Sequence, residues 1–162
     1  MRPLALIVTF SATGLMMAGC GWSPPPAPPT QPDACAAADG PTPDTVTQAI
    51  ATLPAAPAGA QWKQIASGHT TDCGLHWVKV GSTDATQDGP GQVLFFDHNA
   101  LIGMPTPEPR PYINVVTSGN IVSVQYQWKQ GNDQPCCPTG IGTVRFQLAD
   151  GKLTALDPVP NP

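Results

Sequence analysis

Proline sets the limits on what this chain can fold into. There are 21 prolines in 162 residues, and each lacks the backbone N–H that a helix interior or a central strand needs. Pro24, Pro25, Pro26, Pro28, Pro29 and Pro32 crowd one short stretch, and Pro105, Pro107, Pro109 and Pro111 crowd another. The apolar runs lie outside these clusters. The prolines therefore mark linkers and turns, and regular structure has to fit between them.

One such interval opens with a helix. Thr42 offers an N-cap, Pro43 the first helical position and Asp44 an acid in the first turn, and Val46, Ala49, Ile50 and Leu53 follow at helical spacing before Pro54 stops the run. This predicts one amphipathic helix of about three turns whose stripe lies on a sheet. Small residues connect it to Trp62 and Ile65, where the next apolar segment begins.

Beyond that point the pattern is β. Residues 73–80 alternate, with Cys73, Leu75 and Trp77 on one face and His76, Val78 and Val80 on the other. Residues 92–96 are a nearly continuous apolar run, as in a buried central strand, and 101–104 offer a short strand after a turn at 97–99. The prolines of 104–111 predict a loop. Residues 112–117 and 121–129 flank Ser118-Gly119-Asn120 and should pair as a hairpin. In the second, Val122, Val124, Tyr126 and Trp128 share a face that reads as core. Residues 141–149 repeat the alternation, and Asp150-Gly151 turns the chain into 152–156. The predicted fold class is α+β, with one N-terminal helix packed on an antiparallel sheet of five to six strands. The predicted domain spans 35–158, with an irregular tail at 159–162.

The chain before this domain carries an address. Met1 and Arg2 form a short positive region, an apolar core follows, and Met17-Ala18-Gly19-Cys20 ends it. Residues 1–19 read as a signal peptide, too short for a comfortable membrane span. Met17, Ala18 and Gly19 present small residues to a signal peptidase, and the Cys20 sulfur can take a diacylglyceryl group as a thioether. Further acylation, for example with palmitate, would give a stable anchor. Residues 20–34 then read as a lipidated cysteine and a polyproline II tether, which at about 3.1 Å per residue would hold the domain roughly 30 to 40 Å from the bilayer. The expected location is the outer, extracytoplasmic side of the cell membrane, held through acylated Cys20.

Charge excludes other attachments. The formal net charge of −4 becomes −5 once Arg2 leaves with the signal peptide, so no basic patch is expected for nucleic acid or anionic lipid.

Four further cysteines, Cys35, Cys73, Cys136 and Cys137, allow three pairings in an oxidising compartment. A bridge from Cys35 to Cys73 would tie the helix to the first strong strand, and leaves the adjacent Cys136 and Cys137 to each other; the other two pairings join each of these to a distant partner. All three stay open. A redox role for Cys136 and Cys137 lacks a Cys-x-x-Cys spacing or a following helix start, so structural bridging is preferred.

Other chemistry is sparsely represented. His69, His76 and His98 lie near Asp72 and Asp97, but their spacing matches no zinc motif, and no metal or cofactor is expected. Ser67 beside His69 and Asp72 is a coincidence of sequence, there is no Gly-x-Ser-x-Gly elbow, and Glu108 is the only glutamate. The chain is therefore not expected to be an enzyme. Trp62, Trp77, Tyr112 and Trp128, with Tyr126, are candidate contacts for an apolar ligand or a partner, although most fall on faces that a core would bury in any case.

Several segments carry a family likeness. They are Leu75-His76-Trp77-Val78, Val93-Leu94-Phe95-Phe96-Asp97, Pro111-Tyr112-Ile113, Val122-Ser123-Val124-Gln125-Tyr126-Gln127-Trp128 and the block from Cys136-Cys137-Pro138 through Thr139-Gly140-Ile141-Gly142-Thr143-Val144-Arg145-Phe146. With the cysteine motif and the proline tether, the chain resembles the LppP/LprE family of actinobacterial lipoproteins. The resemblance implies a cell-envelope lipoprotein and assigns no catalytic residues. The expected role is a non-enzymatic binding or accessory protein with an envelope protein or lipid as partner; the alternative is a carrier or sensor of an apolar ligand such as a lipid or glycolipid.

Overall fold

Helix α1, Pro43–Ala51, begins where Thr42 caps it: the Thr42 side chain accepts from the Thr45 N–H at 3.2 Å, and Pro43 occupies the first turn. A second contact docks this end, since the Thr42 N–H donates to Asn99 Oδ1 at 2.8 Å. In this computed structural model residues 33–57, 59–83, 89–134 and 136–160 are described. Cys20, with the signal-peptide and tether readings, lies outside them.

Eight strands follow the helix. β1 (Trp62–His69), β2 (Leu75–Ser82), β3 (Gly91–Asp97) and β4 (Ala100–Gly103) form one antiparallel sheet in sequence order. β5 (Asn114–Ser118), β6 (Ile121–Trp128), β7 (Gly140–Ala149) and β8 (Lys152–Ala155) form a second. The expectation of one sheet of five to six strands under a helix is thus corrected: the described residues are mostly β, with two four-stranded sheets, the short helix α1 and a single 3-10 turn at Ala37–Asp39.

Three physical features explain the difference. β1 is an edge strand with mostly exposed residues, so its sequence has no apolar alternation to read. The proline-rich stretch 104–111 is not a loop within a sheet but the passage from the first sheet to the second. β2 and β3, finally, are apolar on both faces because both are covered. Leu75, Trp77, Val93 and Phe95 face the second sheet and pack with Val122, Val124, Tyr126, Val144 and Phe146. Val78, Val80, Leu94 and Phe96 face the other way and pack under Val46, Ala49 and Leu53 of the helix segment. A single sheet with one helix could cover only one of these faces.

Phe95 and Phe146 mark the inter-sheet core, with ring centroids 5.1 Å apart in a tilted arrangement. Burying either ring contributes about 1.5–3 kcal/mol. Gln92 pins the passage between the sheets. Its fully buried side chain donates to the Thr106 carbonyl at 2.8 Å, while Gly91 and Arg110 exchange backbone hydrogen bonds of 2.8 and 2.9 Å. The passage is therefore held against the start of β3, and this fixes where β5 begins.

Candidate functional site

Where β5 begins, the two sheets part to leave a groove of about 540 Å³. β2 supplies Lys79 and Gly81, β1 supplies Lys63 and Ile65, and the second sheet and its approach supply Tyr112, Ile113, Asn114, Gln125 and Gln127. Gly81 pairs with Gly91 across β2 and β3, so the floor of the groove is bare backbone. A Cβ on Gly81 would meet only the Ile65 side chain, at 3.2 Å.

Lys79 is the unusual member. By strand alternation it shares the face of Leu75 and Trp77, which belong to the core between the sheets. It is part-buried, and its ammonium donates to the Ile113 carbonyl. Among the described residues no carboxylate forms an ion pair with it, and burial pushes its pKa below the ordinary lysine value. Cations in such settings are ordinarily paired.

A second cluster lies at the other end of the first sheet. His69 Nδ1 faces the Thr70 carbonyl at 3.0 Å and Nε2 faces Asp33 Oδ2 at 2.9 Å. Both partners are acceptors when Asp33 is ionised, so the imidazolium satisfies the site best. The bond to Thr70 and then the Asp33 carboxylate raise the His69 pKa, and the Cys35 N–H and His69 lower that of Asp33. His76 is buried beside it, with ring centroids 5.5 Å apart, and its Nε2 lies 2.9 Å from the Cys73 carbonyl. Only donation fits a carbonyl, which assigns the proton to Nε2. Burial, chiefly, lowers its pKa.

A family model described as LppP/LprE lipoprotein matches residues 67–151, which takes in Lys79 and most of the groove. The LppP lipoproteins of Mycobacterium bovis and Mycobacterium tuberculosis are each 52% identical over 150 residues, covering 91% of this chain and 86% of theirs. The chain belongs to the LppP/LprE lipoprotein family. No solved structure matches it.

In this LppP/LprE member the residues singled out by sequence fall into separate places. Cys20, with Met17, Ala18 and Gly19, lies outside the described residues, and among the described residues no helix is long and apolar enough to cross a membrane. Cys35 and Cys73 are joined by a disulfide, as are Cys136 and Cys137. Trp77 is in the inter-sheet core with its indole N–H donating to Thr117 Oγ1 at 2.8 Å. Trp62 packs on the helix side and donates to the Pro54 carbonyl at 2.7 Å. Tyr112 lines the groove, just before β5 rather than in it. Trp128 lines a separate recess with Pro109, Pro111 and Pro160. These four side chains do not converge.

The polar candidates separate in the same way. Asp72 accepts from Thr70 Oγ1 at 2.5 Å and from the Gly74 N–H at 3.2 Å, closing the β1–β2 turn and not backing His69. His98 sits in the β3–β4 turn at a positive φ, bonded to Asp97 at 2.8 Å. His76, expected at the sheet surface, is buried, with Gly40 lying against it; a Cβ on Gly40 would fall 2.8 Å from its Nδ1. Asp33, Cys35 and His69 place ligand-type atoms within 4.8 Å of one another, but the Cys35 sulfur is bonded to Cys73 and offers no thiolate. Lys79 and Lys63 were not legible as a site from composition. The signal was there in the alternation: Lys79 is the next residue on the Leu75 and Trp77 face, where an apolar side chain belongs.

Proposed function

We propose that the chain is exported, cleaved before Cys20, acylated on that cysteine and held on the extracytoplasmic side of the cell membrane, where its domain acts as a non-enzymatic binding protein through the Lys79 groove. The family supports lipidation, and the Cys20 motif names the residue. The observation that carries binding is a part-buried lysine with no carboxylate partner among the described residues, lining a groove of small-molecule size. Both nitrogens of His69 are engaged, and His76, in the same recess as Ser67, is held on the Cys73 carbonyl, which supports a role without catalysis. The dispersal of Trp62, Trp77, Tyr112 and Trp128 supports this reading over an apolar carrier.

Native mass spectrometry of the full lipoprotein, extracted from its own envelope in mild detergent, tests the proposal. The expected spectrum carries a discrete adduct that Gly81→Leu, which fills the groove, abolishes. Protein without an adduct, or an adduct kept by the variant, contradicts it.

A further inference from the structure

The groove's lining also describes the chemistry of its occupant, if the groove is the binding face as proposed above. We propose that it binds a sugar carrying an oxyanion, either a phosphate or a carboxylate, with the Lys79 ammonium as the principal anion contact and Lys63 as a second cation.

Three observations converge. First, an ammonium has three N–H donors, and Lys79 gives one to the Ile113 carbonyl. A bound oxyanion supplies acceptors for the others, together with a counter-charge that no described carboxylate gives. Second, the charge of the groove's described lining opposes that of the chain. The protein has eleven acidic and seven basic residues, yet the groove is lined by Lys63 and Lys79 and by no aspartate or glutamate among its described residues. Third, beside the apolar Ile65, Pro90 and Ile113 the wall offers hydrogen-bonding groups. Ser82, Thr83, Asn114, Gln125 and Gln127 supply hydroxyls and amides, and the Gln127 amide donates to Gln125 Oε1 at 3.2 Å. That leaves donors on Gln125 and an acceptor on Gln127 for ligand hydroxyls. Lipid chains would leave these remaining donors and acceptors desolvated without partners. A polyhydroxylated ring with one anionic group satisfies them.

Such a ligand could be a free acidic sugar or the sugar-phosphate headgroup of a lipid. Isothermal titration of the full lipoprotein in detergent with glucose 6-phosphate, glucuronate, glucose and a short-chain phosphatidylinositol separates them. Glucose 6-phosphate or glucuronate should bind at least about tenfold tighter than glucose, since hydrogen bonds to a charged group are worth about 1.5–3 kcal/mol, and added salt should weaken the difference. Lys79→Met should cost about tenfold and Lys79→Arg less than about threefold, with far-UV circular dichroism unchanged in both. Phosphatidylinositol binding as well as glucose 6-phosphate assigns the oxyanion to a lipid headgroup; no binding of it beside a bound sugar assigns a soluble ligand, and both support the proposal. Equal binding of glucose, indifference to Lys79→Met, or binding of none of the four overturns the anionic sugar. These outcomes leave the groove itself standing, because that reading fails only if the envelope adduct is missing or survives Gly81→Leu.

Discussion

The ammonium of Lys79 donates to the backbone carbonyl of Ile113, so a cation on β2 reaches the segment that leads into β5. Ile113 is itself part of the core between the sheets. The contact therefore places a charge at the edge of an apolar interior, at the point where the two sheets separate. It ties the fold to the groove, and the consequences below follow from that architecture and from the ties around it.

Two tryptophans lie over glycines directly opposite them on neighbouring strands: Trp77 over Gly68, and Trp128 over Gly140. A Cβ at Gly68 would fall 2.7 Å from the Trp77 ring. Gly68→Ala and Gly140→Ala should each lower stability by about 1–3 kcal/mol through overpacking. Urea unfolding checks this. Midpoints within experimental error of the parent protein would show that the indoles move aside freely.

The disulfide between Cys35 and Cys73 closes a sequence separation of 38 residues and fastens the segment before α1 to the turn before β2. On chain-entropy grounds its removal should cost about 4 kcal/mol. The Cys35→Ser, Cys73→Ser double variant should therefore unfold at much lower urea than the parent. A loss below about 1 kcal/mol would contradict the tie.

Stability should fall on both sides of neutral-to-mildly acidic pH, with His69 setting the alkaline limb and His76 the acid limb. His69 has a raised pKa, owing to Thr70 and then Asp33, so its contribution is complete below the ordinary histidine value and is lost as pH rises through the folded-state value. Asp33 and Asp39 are the acidic groups facing it, and His76 the basic one. His76 has a lowered pKa, mainly from burial, so it costs stability as pH falls below the ordinary value. Thermal melts between about pH 5 and pH 8 check both limbs. His69→Gln should flatten the alkaline side; a parent profile without an alkaline fall would contradict the His69 assignment.

Acylation is read from Cys20 and its neighbours. Cys20→Ser should lose palmitate labelling and move the protein from the detergent phase to the aqueous phase on Triton X-114 partition. Unchanged labelling and partition would place the anchor elsewhere.

Much of the fold was legible because its rules are local. Thr42 and Pro43 announce the helix start, Ser118-Gly119-Asn120 announces the β5–β6 turn, and the inward Val122, Val124 and Tyr126 alternate as a half-buried strand must. The division of the strands into two sheets was not legible, because pairing across a passage such as 104–111 is a non-local choice. The run from Val93 to Phe96 did hold a clue, since both of its faces are apolar and each needs its own cover. The groove was harder still. It depends on Gly81 and Gly91 meeting across two strands and on Asn114 arriving from the other sheet, and no spacing in the chain encodes that meeting.

The central claim is that Lys79 is a cation awaiting an anionic partner. Nuclear magnetic resonance titration of its ε-carbon, with and without saturating glucose 6-phosphate, tests it most directly. The unliganded amine should titrate below the ordinary lysine value because it is part-buried, and the bound oxyanion should raise that value by favouring the charged form. A Lys79 titration that the ligand leaves unmoved would contradict the account.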